Sequence, residues 1–305
     1  MSTIWKEDWD QARARLTAWW ERRGLALCVT APKDKPWEDL PEPKGPTDVR
    51  EAYLDAVFRA RSAAYAMSRT FFGAEAFPYY DAYLGAGSLG SMLGSEPHFT
   101  TETVWYEPCI RDPETHPPLR FDPQNVWFKR HMALIEEGLR VADGHFLPGI
   151  PDLIENIDTL AQLRDPQTLM LDLIERPAWV KQRVAEINQA YFAVFDAMFA
   201  RVRDRWSGNA FCAFRVWGPG KTAKLQCDAS AMFSPAMFDE FVVPALSAQC
   251  HWLDYSLYHL DGTHAVCHLD HLLAIPDLDA IEWTPQTGIE GGGHSMASRS
   301  GIASR

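Results

Sequence analysis

Apolar positions near the start of the chain recur every three or four residues: Trp5, Trp9, Ala12, Leu16 and Trp19, with Asp, Glu and Arg between them. That spacing predicts an amphipathic helix over residues 4–23. An apolar run of strand length, 25–31, is stopped by Pro32, and a Pro- and charge-rich loop fills 32–46. Thr47-Asp48 can cap a helix over about 48–70. The pattern then gives a strand at 76–84, a turn and helix start at Gly85-Ala-Gly-Ser-Leu-Gly90, and a strand at 104–110. A loop at 117–123, a helix at 124–142 and a strand at 144–148 follow. Short helices at 158–163 and 166–175 precede a long helix over 177–205, with Pro177 in its first turn. A strand at 211–216 is closed by Trp217-Gly-Pro-Gly220. Ser234 before Pro235 reads as the N-cap of a helix over 235–252. A strand at 256–259, a helix at 268–274 and a strand at 280–283 complete the series.

Short strands alternating with longer helices predict a parallel sheet with helical crossovers, either an α/β barrel or a doubly wound sheet. About seven apolar strand runs precede Gly288, one short of a closed eight-stranded barrel. Residues 289–305 are small and polar without apolar periodicity, and are expected to be a disordered or non-native tail. The expected organisation is a lead-in over 1–47, a barrel missing its last unit over 48–288, and the tail.

The chain has 305 residues, 47% hydrophobic and 23% charged, a globular balance. Its formal net charge of -12 argues against nucleic acid as a partner. No apolar run approaches the roughly 20 residues of a membrane span, and the N-terminus has no signal-peptide core. A cytoplasmic protein with no membrane partner is expected. Six Cys without a CxxC pair are then expected to be free thiols, mostly buried. Gly85–Gly90 matches GxGxxG, but the order of elements before it is wrong for a first dinucleotide-binding unit.

Ionisable residues collect where apolar strands stop. Asp81 ends an aromatic strand and could orient a substrate or act as an acid or base with a raised pKa; it could also cap the next turn. Asp228 lies too far upstream to cap the helix at Pro235, which leaves a site role or a loop-stabilising one. His259 and Asp261 are two apart, so on an extended backbone both point to one face. They could be two metal ligands, or a His oriented by a carboxylate. His264, His268 and His271 crowd the residues that follow. Arg215 could bind a carboxylate or phosphate, or pair with Asp228. Tyr80 and Trp217 are the aromatic candidates for substrate contact. There is no nucleophile elbow, P-loop or HExxH.

At Trp217-Gly-Pro-Gly220, Cys227-Asp-Ala-Ser-Ala-Met-Phe-Ser-Pro-Ala-Met-Phe-Asp-Glu-Phe241, Tyr258-His-Leu-Asp-Gly262 and on through 268–283, the chain resembles the uroporphyrinogen decarboxylase superfamily. The resemblance covers about residues 50–288 and implies a TIM-type (β/α)8 barrel with its site at the strand C-terminal ends. Asp81 resembles the superfamily's substrate-orienting aspartate. The decarboxylases carry an Arg-rich N-terminal motif; here the first strand has no Arg, and Arg22 and Arg23 precede it. The methyltransferases hold zinc with a His-x-Cys pair and a later Cys; here the pair is His259-Leu-Asp261, and a third ligand would come from beyond about residue 290. The resemblance therefore implies metal-assisted methyl transfer between a corrinoid and a small acceptor. Zn2+ would sit on His259 and Asp261, with Asp81, Asp228 and His259 catalytic and a corrinoid protein as partner. Uroporphyrinogen decarboxylase itself is the second expectation, and a non-catalytic barrel binding a tetrapyrrole or small ligand the third.

Overall fold

The alternation of short strands and helices is present in the computed structural model, which describes residues 4–285 and the backbone of 302–304. Among these residues the strands are β1 Cys28–Pro32, β2 Thr70–Ala74, β3 Tyr79–Tyr80, β4 Glu96–Phe99, β5 Val104–Glu107, β6 Leu147–Pro148, β7 Gly208–Phe211, β8 Val216–Pro219, β9 Thr222–Gln226, β10 Tyr255–Asp261, β11 Ala280–Thr284 and β12 Ile302–Ser304. The helices are α1 Trp9–Trp20, α2 Val49–Leu54, α3 Ala56–Ser68, α4 Ser88–Met92, α5 Val126–Ala142, α6 Asn156–Arg164, α7 Pro166–Glu175, α8 Pro177–Val202, α9 Pro235–Phe241, α10 Val243–Trp252 and α11 Leu269–Leu273. The protein is an α/β fold.

Local chemistry sets the helix ends. Asp48 accepts from the Glu51 N–H at 2.8 Å, and Asp55 from Phe58 N–H at 2.9 Å, so a second cap splits the helix expected over 48–70. The helix expected over 235–252 breaks at Val242, and Pro244 opens its second half. Ser234 caps the first half, as its position before Pro235 suggested. The buried stripes of α5, α6, α8 and α10 close over the strands, with Ile135, Leu160, Phe195, Leu225 and Leu246 among the fully buried side chains. Trp9 anchors α1 by packing 5.6 Å from Phe77 and 5.7 Å from both Trp206 and Trp217, ring centre to ring centre.

The parallel contacts join strands in sequence order. β3 pairs in parallel with β6, Ile150 just past β6 bridges in parallel to Phe211, and β9, β10 and β11 form a parallel run. The described strands do not close into a barrel: β1–β2, β4–β5 and β7–β8 are antiparallel pairs. The apolar run expected as a strand at 25–31 supplies β1, which is exposed along its whole length and pairs with β2. The strand expected at 211–216 is the turn between β7 and β8. β9 was not foreseen. The C-terminal stretch, expected to lack regular structure, contributes β12, which pairs antiparallel with β11 along its far edge. The remainder of that stretch lies outside the described residues. No described helix is long and apolar enough to cross a membrane.

A side chain joins β7 to β9 where no backbone ladder does. Asn209 Nδ2 donates to the Thr222 carbonyl at 3.0 Å, and Thr222 N–H donates to Asn209 Oδ1 at 2.9 Å. Both residues are buried, so Asn209→Ala would strand a backbone donor and an acceptor away from water. The variant is expected to lose about 2–5 kcal/mol in urea unfolding. A loss of a few tenths would mean that the two strands are held together by other contacts.

Candidate active site

Parallel register builds the site. Gln226 on β9 faces His259 on β10, and His259 faces Glu282 on β11. These three therefore form one row across the sheet, with side chains on one face. His259 Nδ1 is hydrogen-bonded to Glu282 Oε2, and Glu282 Oε1 accepts from Thr284 Oγ1 at 2.8 Å. The Phe214 ring, in the β7–β8 turn, lies 4.9 Å from the imidazole. The other imidazole nitrogen, Nε2, is 4.0 Å from Asp261 Oδ1. One ligand atom each from Asp228, His259 and Asp261 lies within 4.8 Å of the others. Asp228 and His259 thus meet at the same end of adjacent strands.

A carboxylate-rich network backs this cluster. Gln226 Nε2 donates to Asp228 Oδ2 at 2.9 Å and to Asp158 Oδ2 at 3.3 Å. Asp158 also accepts the backbone N–H groups of Asp228 at 2.7 Å and Ala229 at 3.0 Å, which pins the short turn that carries Asp228. Lys224, 2% exposed, donates to Gln226 Oε1 and pairs with Asp152 at 2.7 Å. Glu155, 1% exposed, accepts the Gln226 N–H at 2.6 Å, and its Oε2 has no partner among the described residues.

Burial dominates the proton affinities here. It lifts Glu155 to about 8 against the pull of Lys224 and the Gln226 N–H. It lifts Asp81 to about 7, opposed by Arg59 and reinforced by Asp152. Asp228 keeps an open face to solvent but is still pushed to about 6, first by desolvation and then by Asp158, with His259 pulling the other way. Asp158 is also raised by burial.

Of the residues expected from sequence, Asp228, His259 and Asp261 come together. Asp81 follows β3, and Arg215 lies in the β7–β8 turn, exposed and with a φ of 53°. Each directly follows the C-terminal end of a strand, β3 for Asp81 and β7 for the turn that carries Arg215. Asp81 Oδ1 has no hydrogen-bond partner among the described residues, while Arg59 Nη2 donates to the Asp81 carbonyl at 3.0 Å. Two aromatic candidates are corrected. Trp217, 1% exposed, gives its indole N–H to Asp204 at 2.7 Å and packs on Trp9, so it is core rather than substrate contact. Tyr80, 2% exposed, is buried close to Gly138 of α5, and burial pushes its hydroxyl up to about 12. His268 is occupied elsewhere: its Nε2 meets the Ser230 carbonyl at 2.8 Å and its ring stacks on Phe238. All six Cys are free, and three of them are buried.

Sequence reading missed Glu282, Gln226, Lys224, Asp152, Glu155 and Asp158. Glu282 was the recoverable one, since it sits two residues before a strand end, as His259 does relative to Asp261.

No family model matches the chain, and no curated protein matches it. Among solved structures, a methyltransferase from Methanosarcina mazei superposes with a TM-score of 0.53, covering 81% of this chain and 69% of its own, at 14% identity. The likeness is one of fold. It places the chain's α/β architecture beside that of a methyltransferase.

Glu155 gives a test of the buried network. Its folded pKa, about 8, lies above the ordinary carboxyl value, so the folded state holds a proton that the unfolded chain releases. Its ionisation therefore costs nothing below about pH 4.5 and costs progressively more up to about pH 8. Glu155→Gln removes that cost. The stability difference between variant and parent, from urea unfolding across this range, is expected to grow with pH in favour of the variant and to level off above about 8. A difference independent of pH would place Glu155 in a solvated setting.

Proposed function

We propose that the chain is an enzyme of the uroporphyrinogen decarboxylase-like kind, transferring a methyl group between a corrinoid and a small acceptor with the help of a bound metal. The observation that carries this reading is the convergence of Asp228, His259 and Asp261. The fold likeness to a methyltransferase supports it. So does the order of contacts β3–β6, β6–β7 through the Ile150 bridge, β7–β9 through Asn209, and β9–β10–β11, which resembles the order in the wall of a (β/α)8 barrel.

The donor set fits a divalent ion. Two carboxylates and an imidazole are borderline-to-hard ligands that accept Zn2+, Co2+ or Mn2+, without the thiolates of a zinc-sulfur site. A bound ion would supply Lewis acidity, lowering the pKa of an acceptor thiol or hydroxyl. Asp228, His259 and Asp261 would hold it. Gln226 keeps Asp228 aimed at His259 by donating to its carboxylate. Arg215 stands exposed at the rim, where its fork can receive an anionic end of the acceptor. Asp81, with a pKa of about 7 and an unpartnered oxygen, can orient a donor group or exchange a proton near neutrality.

Asp81 also favours a second reading, decarboxylation of a porphyrinogen. A carboxyl that is half protonated at neutral pH can protonate a carbon centre as carbon dioxide leaves.

Elemental analysis after equilibration with Zn2+ is expected to find metal on the parent chain and to lose it in His259→Ala, with circular dichroism showing that the variant is still folded. Demethylation of methylcobalamin by a simple thiol, followed in the visible spectrum, is expected to need both the metal and His259. Metal retained by His259→Ala would sink the site. Carbon dioxide release from uroporphyrinogen without metal would favour the second reading.

A further inference from the structure

His259 is held on three sides, and only one of its contacts chooses between its two neutral tautomers. Phe214 packs near the ring, Asp261 approaches Nε2, and Glu282 meets Nδ1. Glu282 is itself oriented. It is 8% exposed, and Thr284 two residues on gives its hydroxyl to the other carboxylate oxygen at 2.8 Å. The parallel register sets His259 directly opposite Glu282, so this contact follows from the backbone ladder.

We infer that Glu282 is a positioning residue that keeps the imidazole proton on Nδ1, so that the Nε2 lone pair faces the space between Asp228 and Asp261. A carboxylate only accepts, so the nitrogen that meets it must carry the hydrogen. The other nitrogen is then left free as a ligand or base. A carboxylate behind a ligating histidine fixes its tautomer and ring orientation and raises its basicity. Thr284 extends the row, giving Thr284–Glu282–His259 before the cluster is reached. Glu282 touches neither acceptor nor donor and acts through His259. The inference deepens the proposed metal site, but its first readout does not depend on that site.

That readout is the tautomer. Long-range proton–nitrogen correlations on nitrogen-labelled histidine, in mildly alkaline solution without metal, report which ring nitrogen is protonated, and the His259→Asn spectrum assigns the signal. The parent chain is expected to show Nδ1–H. Glu282→Gln is expected to keep it, because the amide oxygen still accepts. Glu282→Ala is expected to move the proton substantially to Nε2, and Thr284→Val, which removes only the hydroxyl that orients Glu282, to move it in part. The second readout is affinity for Co2+ alone, from its visible absorption. It is expected to fall about ten- to a hundred-fold in Glu282→Ala and less in Glu282→Gln. A purely structural Glu282 would lower the melting temperature and leave both readouts unchanged, which would overturn the inference, as would an Nε2–H tautomer in the parent. If Glu282→Ala does not fold, Thr284→Val decides by the same tautomer shift. A parent chain that binds no Co2+ but shows the expected tautomer changes would overturn the metal site and uphold the positioning role.

Discussion

The register of three parallel strands is the constraint on which the site depends. β9, β10 and β11 align Gln226, His259 and Glu282 in one row, and side chains in such a row share a face. The row hands an amide, an imidazole and a carboxylate to one another across the sheet. Two residues further along, Asp261 falls opposite Thr284, and just past the end of β9 the chain turns with Asp228. A slip of one residue in β10 would carry His259 to the other face and bring Leu260 or Tyr258 into its place. Apolar packing guards against that slip: Leu257, Tyr258 and Leu260 are buried, while Asp261 is not.

Electrostatics gives the row its character. Asp152, Glu155, Asp158 and Asp228 gather around one buried ammonium, that of Lys224. One cation cannot neutralise four carboxylates in a poorly solvated interior, and burial raises the proton affinity of Glu155, Asp158 and Asp228. Burial lifts Glu155 to about 8 and Asp228, which keeps a face to solvent, to about 6. Lys224 has a second effect. By donating to Gln226 Oε1 it orients that amide, so the NH2 group must face Asp158 and Asp228. A cation placed between Asp228, His259 and Asp261 would complete the balance that Lys224 begins.

Several helix starts and the pairing of His259 with Asp261 were legible in the sequence because their signals are local. Asp48, Ser234, Pro166 and Pro177 mark helix starts by their own chemistry, and His259 and Asp261 sit two apart at a strand end. β9 was not legible. Its Thr222, Lys224 and Gln226 alternate with Ala223 and Leu225, a pattern that reads as a half-solvated strand at best, yet all five are buried. A polar row that faces a buried network looks, in sequence, like one that faces water. Trp217 failed for a similar reason. Its indole N–H is satisfied by Asp204, thirteen residues away in sequence, and no local pattern shows that a polar aromatic will find such a partner in the core. Exposure is equally illegible: Leu27 and, in β1, Val29 are as apolar as core residues yet exposed, because burial depends on what packs against a strand as well as on its composition.

The loop after β6 shows how the network is held against its own cost. Ile154 and Asn156 have φ of 49° and 56°, and a β-branched residue in the left-handed region is strained. Together they flank Glu155. The strain persists because the loop is tied at several points. Thr159 Oγ1 donates to the Ile154 carbonyl at 3.1 Å, Asn156 Nδ2 donates to Gln249 at 2.7 Å, and Glu155 accepts the Gln226 N–H. In this conformation a single loop and the helix that follows it deliver Asp152, Glu155 and Asp158 to β9, where Lys224 and Gln226 receive them. An extended backbone at Ile154 would relieve that strain. The strained residue lies on a segment whose acidic side chains all converge on β9 and the turn after it. The carboxylate network thus reaches beyond the strands that carry His259 and Asp261, to a loop that no spacing in the sequence marked out.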